Sequence, residues 1–67
     1  QLLATLRCYL DHFGDTNAAA AQLHLHPNTF RYRLQRIREV SGFDPRDAQT
    51  RFLAELHLRM RDLEIPD

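Results

Sequence analysis

Residues 15–34 read DTNAAAAQLHLHPNTFRYRL, and this stretch decides the fold. Asp15 is a capping residue type whose carboxylate can accept hydrogen bonds from the exposed amides of a helix that follows it. The four alanines Ala18 to Ala21 favour helix and carry no bulk, so a neighbouring helix can approach closely. His24-Leu25-His26 then breaks the helical pattern, and Pro27 stands where proline is best tolerated, in the first turn of a new helix. The expected order is a short helix over about Thr16 to Leu23, a tight turn, and a longer helix opening at Pro27. Ala20 at the crossing, Leu23 at the end of the short helix, Leu25 in the turn, and Phe30 with Leu34 from the second helix are the inward positions that would hold the two helices at a fixed angle. His24 occupies the turn position where a positive φ is needed and glycine is commonest; histidine is among the few other residues found there.

Working outward, Leu2, Leu3, Leu6, Tyr9, Leu10 and Phe13 recur at helical spacing, and Gly14 offers a left-handed stop, so a first helix is expected to run to about Phe13. On the other side Phe30, Leu34, Ile37 and Val40 form one stripe that ends at Gly42. After a link containing Asp44 and Pro45, a last helix is expected to begin near the cap Asp47, to bury Phe52, Leu53, Leu56, Met60 and Leu63, and to end at Pro66. Leu58 lies off that stripe; it, or Leu2 and Leu3 at the start, could mark a contact with another subunit or domain. The chain shows no strand pattern and no internal repeat. The expected architecture is an all-α domain of four to five helices spanning residues 1–67, with a core of Leu6, Leu10, Phe13, Leu23, Leu25, Phe30, Leu34, Ile37, Phe52, Leu56 and Met60.

Length and composition agree with that picture. Sixty-seven residues allow one domain, and 43% apolar with 27% charged residues is ordinary for a globular chain. No apolar run approaches the roughly 20 residues of a membrane span, and the first residues lack the features of a signal peptide, so a cytoplasmic domain is expected. Cys8, the single cysteine, has no disulfide partner within the chain and reads as a small packing residue.

Net charge is zero, with nine basic and nine acidic residues, so the total carries no argument for nucleic acid. The distribution does. Between His24 and Ser41 stand Arg31, Arg33, Arg36 and Arg38 against Glu39 alone, while the flanking segments are both slightly acidic. The exposed face expected for the second helix of the pair is polar and carries no acid before Glu39, where an ordinary surface helix is richer in Glu and Lys. Asn28, Arg31 and Tyr32 lie at i, i+3 and i+4, on one face near the N-terminal end, the part of a recognition helix that comes closest to the base edges in the major groove. With His26 and Gln35 they are the expected base readers, since Asn and Gln can pair with adenine and Arg with guanine. Thr16 and Asn17 at the start of the short helix, Thr29 on the flank, and Arg33 and Arg36 along the rim are placed for phosphate oxygens. Arg38 and Glu39 fall in the last turns, beyond the DNA.

The run Leu23-His24-Leu25-His26-Pro27-Asn28-Thr29-Phe30-Arg31-Tyr32-Arg33-Leu34, continued by Arg36-Ile37, closely resembles the C-terminal helix-turn-helix of PucR- and CdaR-type bacterial transcriptional regulators. Asn28-Thr29 with Arg31-Tyr32-Arg33-Leu34 is the specific part of the match. The leading LLATLRCYLDHFGDTNAAAAQL and the closing VSGFDPRDAQTRFLAELHLRM are similar to the family's other helices, so the resemblance covers nearly the whole chain. A more distant likeness is to Fis-type helix-turn-helix domains. The resemblance implies the DNA-binding end of a longer regulator, with a ligand-sensing N-terminal part, operator or promoter DNA as partner, and a homodimer or higher oligomer in the full-length protein.

Other function classes fit less well. His24 and His26 have no third ligand at metal-binding spacing, so no metal or other cofactor is expected. No nucleophile stands beside a base and no glycine-rich phosphate loop is present, so no enzyme is expected. The serious alternative is a helical protein-interaction or dimerisation module, since amphipathic helices could equally present a groove.

Overall fold

The computed structural model describes residues 1–63. Within them the chain forms α1 (Leu2–Asp11), α2 (Thr16–Gln22), α3 (Pro27–Ser41) and α4 (Ala48–Leu63), and no strand. The stop expected at Pro66 lies outside the described residues.

The first two helices end in the same kind of reversal. At the end of α1, Gly14 N–H donates to the Tyr9 carbonyl at 2.9 Å and Phe13 N–H to that of Leu10 at 3.0 Å. At the end of α2, Leu25 N–H donates to the Ala20 carbonyl at 2.9 Å and His24 N–H to that of Ala21 at 3.1 Å. This pairing is the Schellman motif, and it needs a left-handed residue just past the helix. His24 supplies it after α2, with φ 57, as its turn position predicts. After α1 the left-handed residue is Phe13, with φ 55, and Gly14 follows at φ 82. The helix therefore stops at Asp11, short of the expected end, and the positive φ takes Phe13 off the apolar stripe. Phe13 is 84% exposed, so its expected place in the core is corrected.

The core sits where α1, α2 and α3 meet. Cys8, Tyr9, Ala19, Ala20, Phe30, Leu34 and Ile37 are buried together, with Leu2, Leu6, Leu23 and Leu25 packed against them; Leu10 is buried as well. Ala19 and Ala20 have no accessible surface, so these two of the four alanines are the close-approach surface of α2, while Ala21 is exposed. The rings of Tyr9 and Phe30 lie 6.2 Å apart at 38°, a tilted aromatic pair. The Cys8 thiol donates to the Ala19 carbonyl at 3.3 Å, and burial, followed by the charge of Asp11, raises its pKa above the ordinary thiol value. Cys8 is thus packed in the core as a small side chain.

The last helix departs most from expectation. It starts as predicted: the Asp47 carboxylate accepts from Thr50 N–H at 3.0 Å. It buries no residue fully, and Phe52, Leu56 and Met60, expected in the core, are exposed along with Leu53 and Leu63. The partly covered residues of α4 are Thr50, Arg51, Ala54, Glu55 and Leu58, most of them spaced i, i+3, i+4, i+7, so a different face is turned to the body. Leu58, which the stripe reading left over, faces a small cleft with Arg7, Leu10 and Asp11 of α1. Arg7 pairs with Asp62 at 3.6 Å, and the Arg51 guanidinium lies over Gly14, where a Cβ would come within 2.6 Å of it. Beside these contacts, Leu53, Leu56 and Met60 line a wide apolar groove with Leu6, Ile37, Phe43 and Pro45, so that part of the stripe faces the body across an open gap and stays exposed. Val40, in the last turns of α3, likewise overshoots the core and is exposed.

Candidate nucleic-acid interface

The first turn of α3 is built by His26 and Pro27. Pro27 occupies the helix N-terminus, where its missing N–H costs nothing. His26 is the N-cap, and its Nδ1 accepts from Asn28 N–H at 3.0 Å. The ring nitrogen in that bond is therefore unprotonated, and the only ring N–H of a neutral His26 is on Nε2. Further along, Phe30 and Leu34 are fully buried and Ile37 nearly so, which fixes the rotation of α3 on the core. That rotation decides what the outer face presents.

The structure brings Asn28, Thr29, Arg31 and Tyr32 together as exposed residues of the N-terminal half, with Tyr32 65% exposed. Arg31 Nη1 donates to Asn28 Oδ1 at 2.9 Å. Among the described residues no carboxylate pairs with Arg31 or Arg33, so the positive charge there is not neutralised locally. Arg33 is half-buried, which fits an edge position on the helix.

The C-terminal half is arranged differently. Gln35 is half-buried, its Oε1 accepting from Arg46 Nη2 at 3.0 Å and its Nε2 donating to Glu39 at 3.4 Å. Arg36 pairs with Glu39 at 2.9 Å, and Arg46 pairs with Asp44 at 2.8 Å. The Arg36 hydrogen bond, then that of Gln35, holds the Glu39 carboxyl below its usual range; the Arg46 side chain does the same for Asp44. Gln35 would have to leave these partners to reach DNA, and the Glu39 carboxylate offsets the charge of Arg36. Arg46 and Glu39 are members of the site that sequence reasoning did not assign. Glu39 could have been found from its i, i+3 spacing to Arg36, but the Arg46 bridge to Gln35 joins distant parts of the chain.

At the start of α2, Asp15 caps the helix as expected, accepting from Ala18 N–H at 3.0 Å. Thr16 is half-buried and Asn17 exposed beside it. Elsewhere, among the described residues, no group of three or more His, Cys, Asp or Glu side chains is gathered as a metal site would need, and no helix is long and apolar enough to cross a membrane.

A short helix, a left-handed turn residue and a second helix with a buried apolar side and a basic, acid-poor outer side define a helix-turn-helix domain of the DNA-binding class. The family model for the PucR C-terminal helix-turn-helix domain matches residues 2–60, and the chain belongs to that family. It is 40% identical over 60 residues to the proline-responsive transcriptional activator PutR of Bacillus subtilis, covering 90% of this chain and 15% of that protein. It is 37% identical over 62 residues to the purine catabolism regulatory protein of the same organism, covering 92% of this chain and 12% of that protein. An uncharacterized protein of Mycobacterium tuberculosis is 38% identical over 65 residues, 97% of this chain and 16% of its own length. The chain thus spans about a sixth or less of the length of these three relatives. No solved structure matches.

Proposed function

We propose that this domain places α3 in the major groove of operator or promoter DNA as the sequence-reading part of a cytoplasmic transcriptional regulator. The observation that carries the reading is the division of α3 into two faces. Phe30, Leu34 and Ile37 lock one side into the core, and the other presents Asn28, Arg31 and Tyr32 with no acid before Glu39. In this reading the face of His26, Asn28, Arg31, Tyr32 and Gln35 meets base edges, with Gln35 released from Arg46 and Glu39 on binding. Thr16, Asn17, Thr29, Arg33 and Arg36 meet phosphates and set affinity.

One recognition helix covers only a few base pairs, so two copies reading paired half-sites about one helical turn apart account for tight binding. In a longer regulator, segments beyond these residues would supply most of the dimer contact, with Leu2 and the exposed Leu3 near the junction. A tight dimer of these 67 residues in solution would refute that part. The small-molecule effectors suggested by the relatives' names belong to those proteins; for this chain a catabolic signal is the corresponding proposal.

A protein-binding role has one observation in its favour, the exposed stripe of Phe52, Leu53, Leu56 and Met60 on α4. It lies on a different element from the α3 face, so the two roles are compatible. Duplex binding titrated against salt separates them. Steep weakening as salt rises supports the DNA reading, and failure to bind any duplex at low salt overturns it. Selection from random duplexes would then give the half-site and its spacing.

A further inference from the structure

The N-terminal half of α3 holds a short chain of hydrogen bonds. His26 Nδ1 accepts from the Asn28 backbone, and Asn28 Oδ1 accepts from Arg31 Nη1 at 2.9 Å. The two side chains are one turn apart on the helix, where i, i+3 neighbours meet repeatedly. Asn28 is the short, stiff member of the pair, and its backbone is held by the cap; Arg31 is the long and flexible one. Asn28 is therefore the post and Arg31 the group it steadies.

From this geometry we infer that Asn28 does not read a base on its own but positions Arg31, and that the pair selects guanine. The inference rests on α3 being the DNA-facing helix. To pair bidentately with adenine, an asparagine must accept from N6–H2 with its oxygen while its amide donates to N7. Here one lone pair of that oxygen already accepts from a guanidinium, which sets further donors, not acceptors, beside the other. What the pair turns outward is a set of donors: the two amide hydrogens of Asn28 and the guanidinium hydrogens not used on Oδ1. A guanidinium carries five N–H donors, so spending one still leaves a complete fork. Guanine is the base that offers two acceptors side by side in the major groove, N7 and O6. Because no carboxylate among the described residues pairs with Arg31, the fork is not drawn away from the groove.

The test uses this chain on the duplex chosen by random-site selection, and on duplexes altered at each position in turn. Wild type, Asn28→Ala, Arg31→Ala and the double variant are compared. Arg31→Ala should abolish discrimination at one guanine position, a loss of about tenfold or more in the ratio of best to altered duplex. Asn28→Ala should weaken discrimination at that same position, by a smaller factor. The double variant should lose no more than Arg31→Ala alone. Helix content and the unfolding midpoint of Asn28→Ala, measured in parallel, exclude a folding defect as the cause. Loss of an adenine preference that Arg31→Ala leaves intact, or losses that multiply in the double variant, would overturn the inference while leaving the DNA reading in place. Should wild type bind no duplex at low salt, both fall together.

Discussion

Phe30→Ala is the perturbation whose size follows most directly from the structure. Phe30 has no accessible surface and lies where three helices converge, against Tyr9 and the alanines of α2. Truncating a buried phenylalanine costs about 3–5 kcal/mol, the larger values arising where the site cannot collapse into the hole. Collapse is hindered here because Ala19 and Ala20 have no side chain to move inward, and Tyr9 also loses an aromatic partner worth about 0.5–1.5 kcal/mol beyond its area. The expected loss is about 4 kcal/mol. At about 0.05–0.15 kcal/mol per residue, a chain of 67 residues has about 3–10 kcal/mol in total. The loss is therefore at least about two-fifths of the total, and the variant should unfold at a much lower urea concentration than the parent. Urea denaturation followed by far-ultraviolet circular dichroism measures it, with Phe30→Leu as a control that keeps most of the bulk and costs less than about 1.5 kcal/mol. A Phe30→Ala variant within about 1 kcal/mol of the parent would refute the placement of Phe30 at the helix junction.

Other expectations follow from the same coordinates. Phe13→Ala and Leu53→Ala should each cost well under 1 kcal/mol in the same denaturation experiment, because both side chains are mostly exposed; a cost near that of Phe30→Ala would restore them to the core. His24→Gly should stabilise the domain by about 1 kcal/mol by relieving a non-glycine residue at φ 57, and a lower unfolding midpoint would contradict it. Arg36→Ala should weaken binding to all duplexes alike and lower the salt slope by about one, and Glu39→Gln should strengthen binding by freeing Arg36 from its carboxylate partner; unchanged affinity and slope in both variants would remove Arg36 from the phosphate contacts. Asp47 is held below the usual carboxyl range by the Thr50 amide, as Asp44 is by Arg46. The stability these groups contribute is present above the unfolded carboxyl pKa of about 4 and is lost as pH falls through their depressed values. A thermal midpoint that stays flat on acidification from pH 5 to about pH 2.5 would contradict that assignment.

The amino-acid sequence by itself determined the helix-turn-helix and the side of α3 that faces outward. Those signals are local. Asp15 and Asp47 cap because their carboxylates reach amides three residues on, Gly42 ends α3 because it takes φ 81 freely, and Phe30, Leu34 and Ile37 share a face because the helix repeats every 3.6 residues. The resemblance read from the sequence is most specific in one continuous run, Asn28-Thr29-Phe30-Arg31-Tyr32-Arg33-Leu34, and the family model matches residues 2–60. Only the tertiary structure decided where Phe13 points, because a left-handed residue at the end of α1 turns the side chain away although its spacing still counts as apolar. It also decided the rotation of α4. Periodicity identifies that helix as amphipathic, but it does not place Arg51 over Gly14, Arg7 beside Asp62 and Leu58 against α1, with Leu53, Leu56 and Met60 on an open groove. The tie from Gln35 to Arg46 belongs to the same class. Residue types limit which hydrogen bonds can form, and only folding brings particular atoms within reach.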